Sequence, residues 1–215
     1  MKKYEAKIKI KLINHLLKQT SGTDYIFASE VPINQSENIV DILQIGKDEC
    51  IAFEVKSEKD NFTRLEKQLT SYNEVFDYTY IVVAENHYDK ALALIPKNVG
   101  VLEVCGDNIL ERRKAKKNSH LNKENLAKIL WKQEIIKILR DECHVSGQKI
   151  SLLHDFELRQ ILIKKVSLST LKKKTYLFLY KKYKNKYERF KSSIGEAHVH
   201  IDDLIELEIK DTQLF

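Results

Sequence analysis

Between residues 3 and 18 apolar side chains recur every three or four positions: Ile8, Leu12 and Leu16 step by four, with Ile13 and Leu17 beside them. That spacing predicts an opening amphipathic helix, ended by Thr20-Ser21-Gly22. The pattern over residues 25–31 reads as a strand, which Pro32 is expected to stop. Residues 39–45 and 49–57 predict two further strands, joined by the hairpin-like connection Gly46-Lys47-Asp48. Over residues 60–76 the helical period returns through Phe62, Leu65, Leu69, Tyr72 and Phe76. A strand at 78–84, apolar enough to be central, a short helix through 91–94 and a strand at 99–104 follow. The order α-β-β-β-α-β-α-β describes a mixed central sheet flanked by helices, an α/β architecture.

Beyond residue 111 the pattern is helical only. Asn122 is the expected N-cap of a helix carrying Leu126, Ile129, Leu130, Ile135, Ile136 and Leu139, with Leu121 and Leu126 forming a hydrophobic staple. Further helices are predicted over 152–166 and 169–191. The last sets Tyr176, Tyr180, Tyr183, Tyr187 and Phe190 on one stripe between lysines. Residues 112–119 form the best boundary, dividing the chain into domains 1–111 and 112–215.

Charge sharpens this division. Residues 1–111 hold 13 Lys+Arg against 18 Asp+Glu, residues 112–191 hold 23 against 7, and residues 192–215 hold 1 against 6. The basic middle block predicts a polyanionic partner, DNA first and RNA as the alternative. Its aromatic stripe is expected to be mostly core, leaving Lys172, Lys173, Lys174, Lys181 and Lys182 exposed to track phosphates. The 215 residues, 43% of them hydrophobic, suffice for a substantial core. The first residues interrupt every apolar stretch with charge, and no run approaches the roughly 20 apolar residues of a spanning helix. Cys50, Cys105 and Cys143 are far apart and odd in number, as expected of reduced thiols. A soluble, cytoplasmic protein with no membrane contact is predicted.

The first residues that look chemical are Glu54-Val55-Lys56. Positions two apart on a strand share a face, so a carboxylate and an ammonium emerge together while Phe53 and Val55 pack behind. Asp41 is equally out of place within Ile39-Val40-Asp41-Ile42-Leu43. Pairing the two strands through the Gly46 turn brings Asp41 towards Glu54, and converging carboxylates suit Mg²⁺ or Mn²⁺. A cation there would polarise a phosphodiester, with Lys56 orienting water or neutralising developing charge. Other acid-x-Lys triplets, Glu5-Ala6-Lys7 and Glu208-Ile209-Lys210, lack this strand context. Asp60, Arg64, Gln68 and Tyr72 then recur at intervals of four, predicting a ridge on the next helix that contacts nucleic acid or supports the site.

Asp41, Glu54-Val55-Lys56 and Gln68-Leu69-Thr70-Ser71-Tyr72 together resemble the PD-(D/E)XK nuclease superfamily, in particular the RecB-type and lambda-exonuclease-like branch with its Gln-x-x-x-Tyr helix. The string through Ser57, Asp60, Arg64, Phe76 and Asp77 also resembles small bacterial and phage members. Covering about residues 3–105, the resemblance implies a restriction-endonuclease-like fold and divalent-metal hydrolysis of phosphodiesters. It implies Asp41 and Glu54 as metal ligands and Lys56 as the catalytic lysine. Val40 stands where such proteins often carry Pro. For the further ligand usual in the family, Glu30 is preferred over Glu5 and His15. The basic helical domain would hold DNA. The rival expectation is a non-catalytic nucleic-acid-binding or protein-interaction module on the same scaffold. A metal pair at His198 and His200, placed on one strand face, is the lesser alternative.

Overall fold

The computed structural model describes residues 3–33, 37–144, 149–194 and 199–208. Helix α1 (Lys3–Gln19) leads into strand β1 (Ile26–Ile33), followed by β2 (Asn38–Ile45), β3 (Cys50–Lys56), helix α2 (Leu65–Asn73), β4 (Tyr78–Ala84), helix α3 (Tyr88–Leu94), β5 (Gly100–Cys105) and β6 (Asn108–Arg113). The strands lie in sequence order in one six-stranded sheet. β1–β2, β2–β3 and β5–β6 pair antiparallel, while β3–β4 and β4–β5 pair parallel. This is the expected mixed α/β sheet with helices on both faces. The parallel pairs need crossovers, which α2 and α3 supply, and the antiparallel pairs need only turns.

Local chemistry explains where elements depart from the sequence pattern. β1 runs through Pro32 because it is an edge strand of the sheet, its other side meeting an isolated bridge from Ser29 to Glu208, so a missing N–H at Pro32 breaks no ladder there. Helix α2 begins at Leu65, not near Asp60. The Asp60 carboxylate accepts from Ser57 N at 2.9 Å and Ser57 Oγ at 2.5 Å, and Asn61 Oδ1 accepts from Thr63 N at 3.2 Å. These short polar side chains hold turns in place of a first helical turn. The predicted four-step ridge therefore exists only from Gln68 to Tyr72; Arg64 is the exposed residue before the helix. β6, unforeseen, is an edge strand whose Asn-Ile-Leu-Glu-Arg-Arg composition hides its alternation behind charge. Gly106, at φ 55°, makes the turn into it.

The C-terminal helices are α4 (Lys123–Ile129), α5 (Lys132–Cys143), α6 (Lys149–Leu152), α7 (Asp155–Lys165), α8 (Leu168–Ile194) and α9 (Ile201–Leu207). Asn122 caps α4 as predicted, accepting from Glu124 N at 2.8 Å and Asn125 N at 3.2 Å. The chain turns extended at Leu130 and Trp131, splitting one expected helix into two. On one face of the sheet, α2, α4, α5, α7 and much of α8 share a continuous apolar core. On the other, α1 and α9 pack with Phe190 and Ile194 at the end of α8. Residues from both sides of position 111 thus enter the same core. In the aromatic stripe Tyr176, Tyr183 and Phe190 are buried and Tyr180 and Tyr187 partly so, as expected. No helix among the described residues is long and apolar enough to cross a membrane.

Candidate functional site

β2 and β3 form a regular ladder as far as Ile42 and Phe53. One step further, where Asp41 and Glu54 would face each other, the ladder stops and the Asp41 side chain substitutes for it: its Oδ2 accepts from Val55 N at 2.7 Å. Both carboxylates line an open cleft of about 410 Å³, together with Glu5, Lys56, Lys59, Asp60, Arg64 and Gln68. The expected meeting of Asp41 and Glu54 is thus realised through the splay of the strands.

Glu54 is 1% exposed. Its Oε1 lies 2.6 Å from Lys56 Nζ, and its Oε2 lies 2.6 Å from the Tyr72 hydroxyl. Gln68 Oε1 accepts from the same Lys56 ammonium at 3.1 Å. The two residues of the Gln-x-x-x-Tyr helix therefore grip the two charged side chains of the Glu-Val-Lys strand, one each. Tyr72 also lies 2.6 Å from the Ile39 carbonyl, tying α2 to the start of β2. It is fully buried, so it supports the site and does not reach solvent or a nucleic acid. Burial raises the Glu54 carboxyl above the usual carboxylate range, with Lys56 and Tyr72 acting against the shift. Burial and the neighbouring Glu54 charge raise the Asp41 carboxyl well above the usual carboxylate range, opposed by Lys9 and by the Val55 amide. Burial, Glu54 and Asp41 likewise raise the Tyr72 phenol.

A second layer of acids comes from α1 and β1. The carboxylate oxygens of Glu5, Glu30 and Asp41 lie within 4.8 Å of one another. Glu30 reaches this cluster from a left-handed backbone at φ 56°, a conformation costing a non-glycine residue on the order of 1–3 kcal/mol. Both Glu30 and Glu5, the alternatives for an upstream ligand, are therefore beside Asp41. His15 is not: its Nε2 is 2.9 Å from Gln19 Nε2, in a separate cleft between α1 and β6.

Lys9, which the pattern of the sequence left unremarked, stands among these acids. It is completely buried, contacts Glu30 directly, and lies 2.7 Å from Glu5 and 3.3 Å from Asp41. Burial opposes its charge, but Asp41, Glu30 and Glu5 outweigh that and raise its pKa above the usual lysine value. One signal was available: Lys9 sits three, four and seven residues before Leu12, Ile13 and Leu16, on the apolar stripe of α1, and four after Glu5.

The α8 lysines lie elsewhere. Lys172 binds the buried Asp77 at 2.5 Å, and Asp77 exchanges contacts with Cys50 at the start of β3. Lys56 is six steps along that strand, about 20 Å away. Lys174 pairs with Glu142 at 2.6 Å and Lys182 lies 4.8 Å from the Trp131 ring, so the expectation that these lysines are free holds only for Lys173 and Lys181, which are exposed. His200 precedes α9, its N–H donating to Asp203 Oδ2 at 2.8 Å, and so is not on a strand face; His198 is outside the described residues.

With this geometry in view, comparison with known proteins gives a family. The model of the bacteriophage P4 protein cII family matches residues 1–208. The chain belongs to the phage P4 cII family. Protein cII of Enterobacteria phage P4 is 27% identical over 209 residues, covering 93% of this chain and 76% of the relative. The SPO1766 protein of unknown function from Silicibacter pomeroyi aligns with 68% of this cII-family chain and 97% of its own, at 18% identity and a TM-score of 0.45.

Proposed function

We propose that this cII-family protein is a divalent-metal-dependent nuclease that hydrolyses phosphodiester bonds of DNA, with RNA as the alternative substrate. The observation that carries the reading is the convergence of partly buried Asp41 and buried Glu54 at a strand splay, with Lys56 held against Glu54 in an open cleft. Its resemblance to the PD-(D/E)XK superfamily points the same way.

The residues present suit a hard cation. Glu5, Glu30, Asp41 and Glu54 supply four carboxylates against the two ammoniums of Lys9 and Lys56. Acids outnumber ammoniums by two, burial raises Asp41 and Glu54 in the absence of a cation, and oxygen donors favour Mg²⁺ or Mn²⁺. Asp41 and Glu54 would hold the ion, while Glu30 and Glu5, the upstream alternatives, are engaged by Lys9; when bound it supplies charge stabilisation at the phosphate and a nucleophile at neutral pH. Lys56, steadied by Gln68, is positioned to orient water or to meet charge on the phosphate. Tyr72 fixes the Glu54 carboxylate. Lys59 and Arg64, exposed at the cleft mouth, would contact the phosphate backbone. Lys173 and Lys181 are left to hold a long polyanion remote from the cleft.

The test is cleavage of circular and linear, single- and double-stranded DNA in Mg²⁺, Mn²⁺ or EDTA, comparing wild type with Asp41→Ala and Glu54→Ala. Metal-dependent cutting reduced about 100-fold or more in both variants is expected. Absence of cutting on DNA and RNA, with salt-sensitive binding indifferent to both substitutions, would reduce the protein to a binding module.

A further inference from the structure

Two acids of the cleft, Glu5 and Asp41, share with Glu30 beside them a partner that does not come from solvent. Lys9 is fully buried, projects from α1, and contacts Glu5 on its own helix, Glu30 on β1 and Asp41 on β2. Three carboxylates from three elements lie within ion-pair distance of one ammonium, which donates a hydrogen bond to Glu30. Such a group is not a surface ion pair, whose worth is small. Three carboxylates packed within 4.8 Å of one another repel strongly unless a cation lies among them. Nor is Lys9 placed to act on a substrate, because its side chain has no exposed surface.

We propose that Lys9 is the resident cation of the Glu5–Glu30–Asp41 cluster: it holds the three carboxylates together and keeps a divalent ion out of the space between them, confining any bound metal to the Asp41–Glu54 side of the cleft. The inference rests on the proposed function only for that last clause. Lys9 is a positioning residue, acting through Asp41, which it holds from one side while the Val55 amide holds it from the other. Removing its charge without removing its bulk would turn the cluster into an oxygen-donor cation site.

The experiment counts Mn²⁺ bound at equilibrium, by calorimetry and by the electron paramagnetic resonance signal of free Mn²⁺, for wild type, Lys9→Met and Lys9→Arg. Thermal unfolding of each is followed in EDTA and in Mn²⁺. Lys9→Met is expected to bind one more Mn²⁺ than wild type, whatever the wild-type number. Its Tm should fall in EDTA and recover in Mn²⁺ by more than wild type gains. Lys9→Arg should bind no extra ion. Equal stoichiometry in wild type and Lys9→Met, or an equal metal-induced rise in Tm, would overturn the inference while leaving the nuclease reading untouched. A wild type that binds no Mn²⁺, beside a Lys9→Met that binds one, would sink the metal-dependent reading and sustain this one. Should Lys9→Met fail to fold, the double variant Lys9→Met/Glu30→Gln decides: folding restored by removing one acid supports the charge role, and continued failure refutes it.

Discussion

The two ends of strand β3 each bury an ionic cluster, and the two are built to opposite charge balance. At the Cys50 end one carboxylate, Asp77, meets Lys172 at 2.5 Å and Lys117 at 3.8 Å and also accepts from the Cys50 amide. At the Lys56 end four carboxylates meet two ammoniums. The first cluster is saturated and closed, and it ties α8 to the sheet. The second is short of positive charge and opens to solvent through the cleft. A buried carboxylate surrounded by cationic and amide partners holds elements in register, whereas an excess of acids beside an open cleft marks a candidate binding site.

The largest effect should come from unbalancing the closed end. Lys172→Met leaves the Asp77 carboxylate, 1% exposed, with the Cys50 amide and the more distant ammonium of Lys117. A loss of about 3–5 kcal/mol in urea unfolding is expected, with cleavage per folded molecule unchanged. Unaltered stability with weakened DNA binding would instead return Lys172 to a nucleic-acid role. At the open end the sign should reverse. Glu54→Gln relieves an excess of buried negative charge, so stability in EDTA is expected to rise by roughly 0.5–2 kcal/mol while cutting is lost. Destabilisation there would mean that the two ends do not differ in kind. Tyr72→Phe removes a hydroxyl 2.6 Å from both Glu54 and the Ile39 carbonyl. It should cost about 1 kcal/mol and lower kcat more than it raises KM, because the misplaced group is Glu54. Smallest of all, Lys173→Ser with Lys181→Ser should change stability by no more than about 0.5 kcal/mol and lower the salt slope of DNA binding by about 2. An unchanged slope would remove α8 from the binding surface.

Much of the sheet was legible because its cause is local. β2, β3 and β4 differ from the predicted ranges by a residue or so at their ends, being short apolar runs bounded by turn residues. Asn122 was readable as a cap for the same reason. The start of α2 was misread because Phe62 fits the helical period, while Asp60 and Asn61 spend their side chains on turns that period does not register. β6 and α9 were missed because each is short and carries its apolar residues among charges. In the cleft, Asp41, Glu54, Lys56, Gln68 and Tyr72 stood out as polar groups at positions a core or a regular helix face would not choose. The basic block misled in part: sequence shows the lysines of α8, but not that Lys172, Lys174 and Lys182 have partners on other elements.

By itself, then, the sequence determined the α/β class, the hairpin that brings Asp41 opposite Glu54, and the periodic helix that carries Gln68 and Tyr72. These follow from period, turn chemistry and strand alternation, which act over a few residues. Only the tertiary structure decided that Glu5, Lys9 and Glu30 gather beside Asp41, and that Lys172 stands about 20 Å from Lys56 at the far end of β3. Such meetings depend on how α1 and α8 pack on the sheet. Packing is set by the shape of whole faces, and charge balance is settled only where those faces come together.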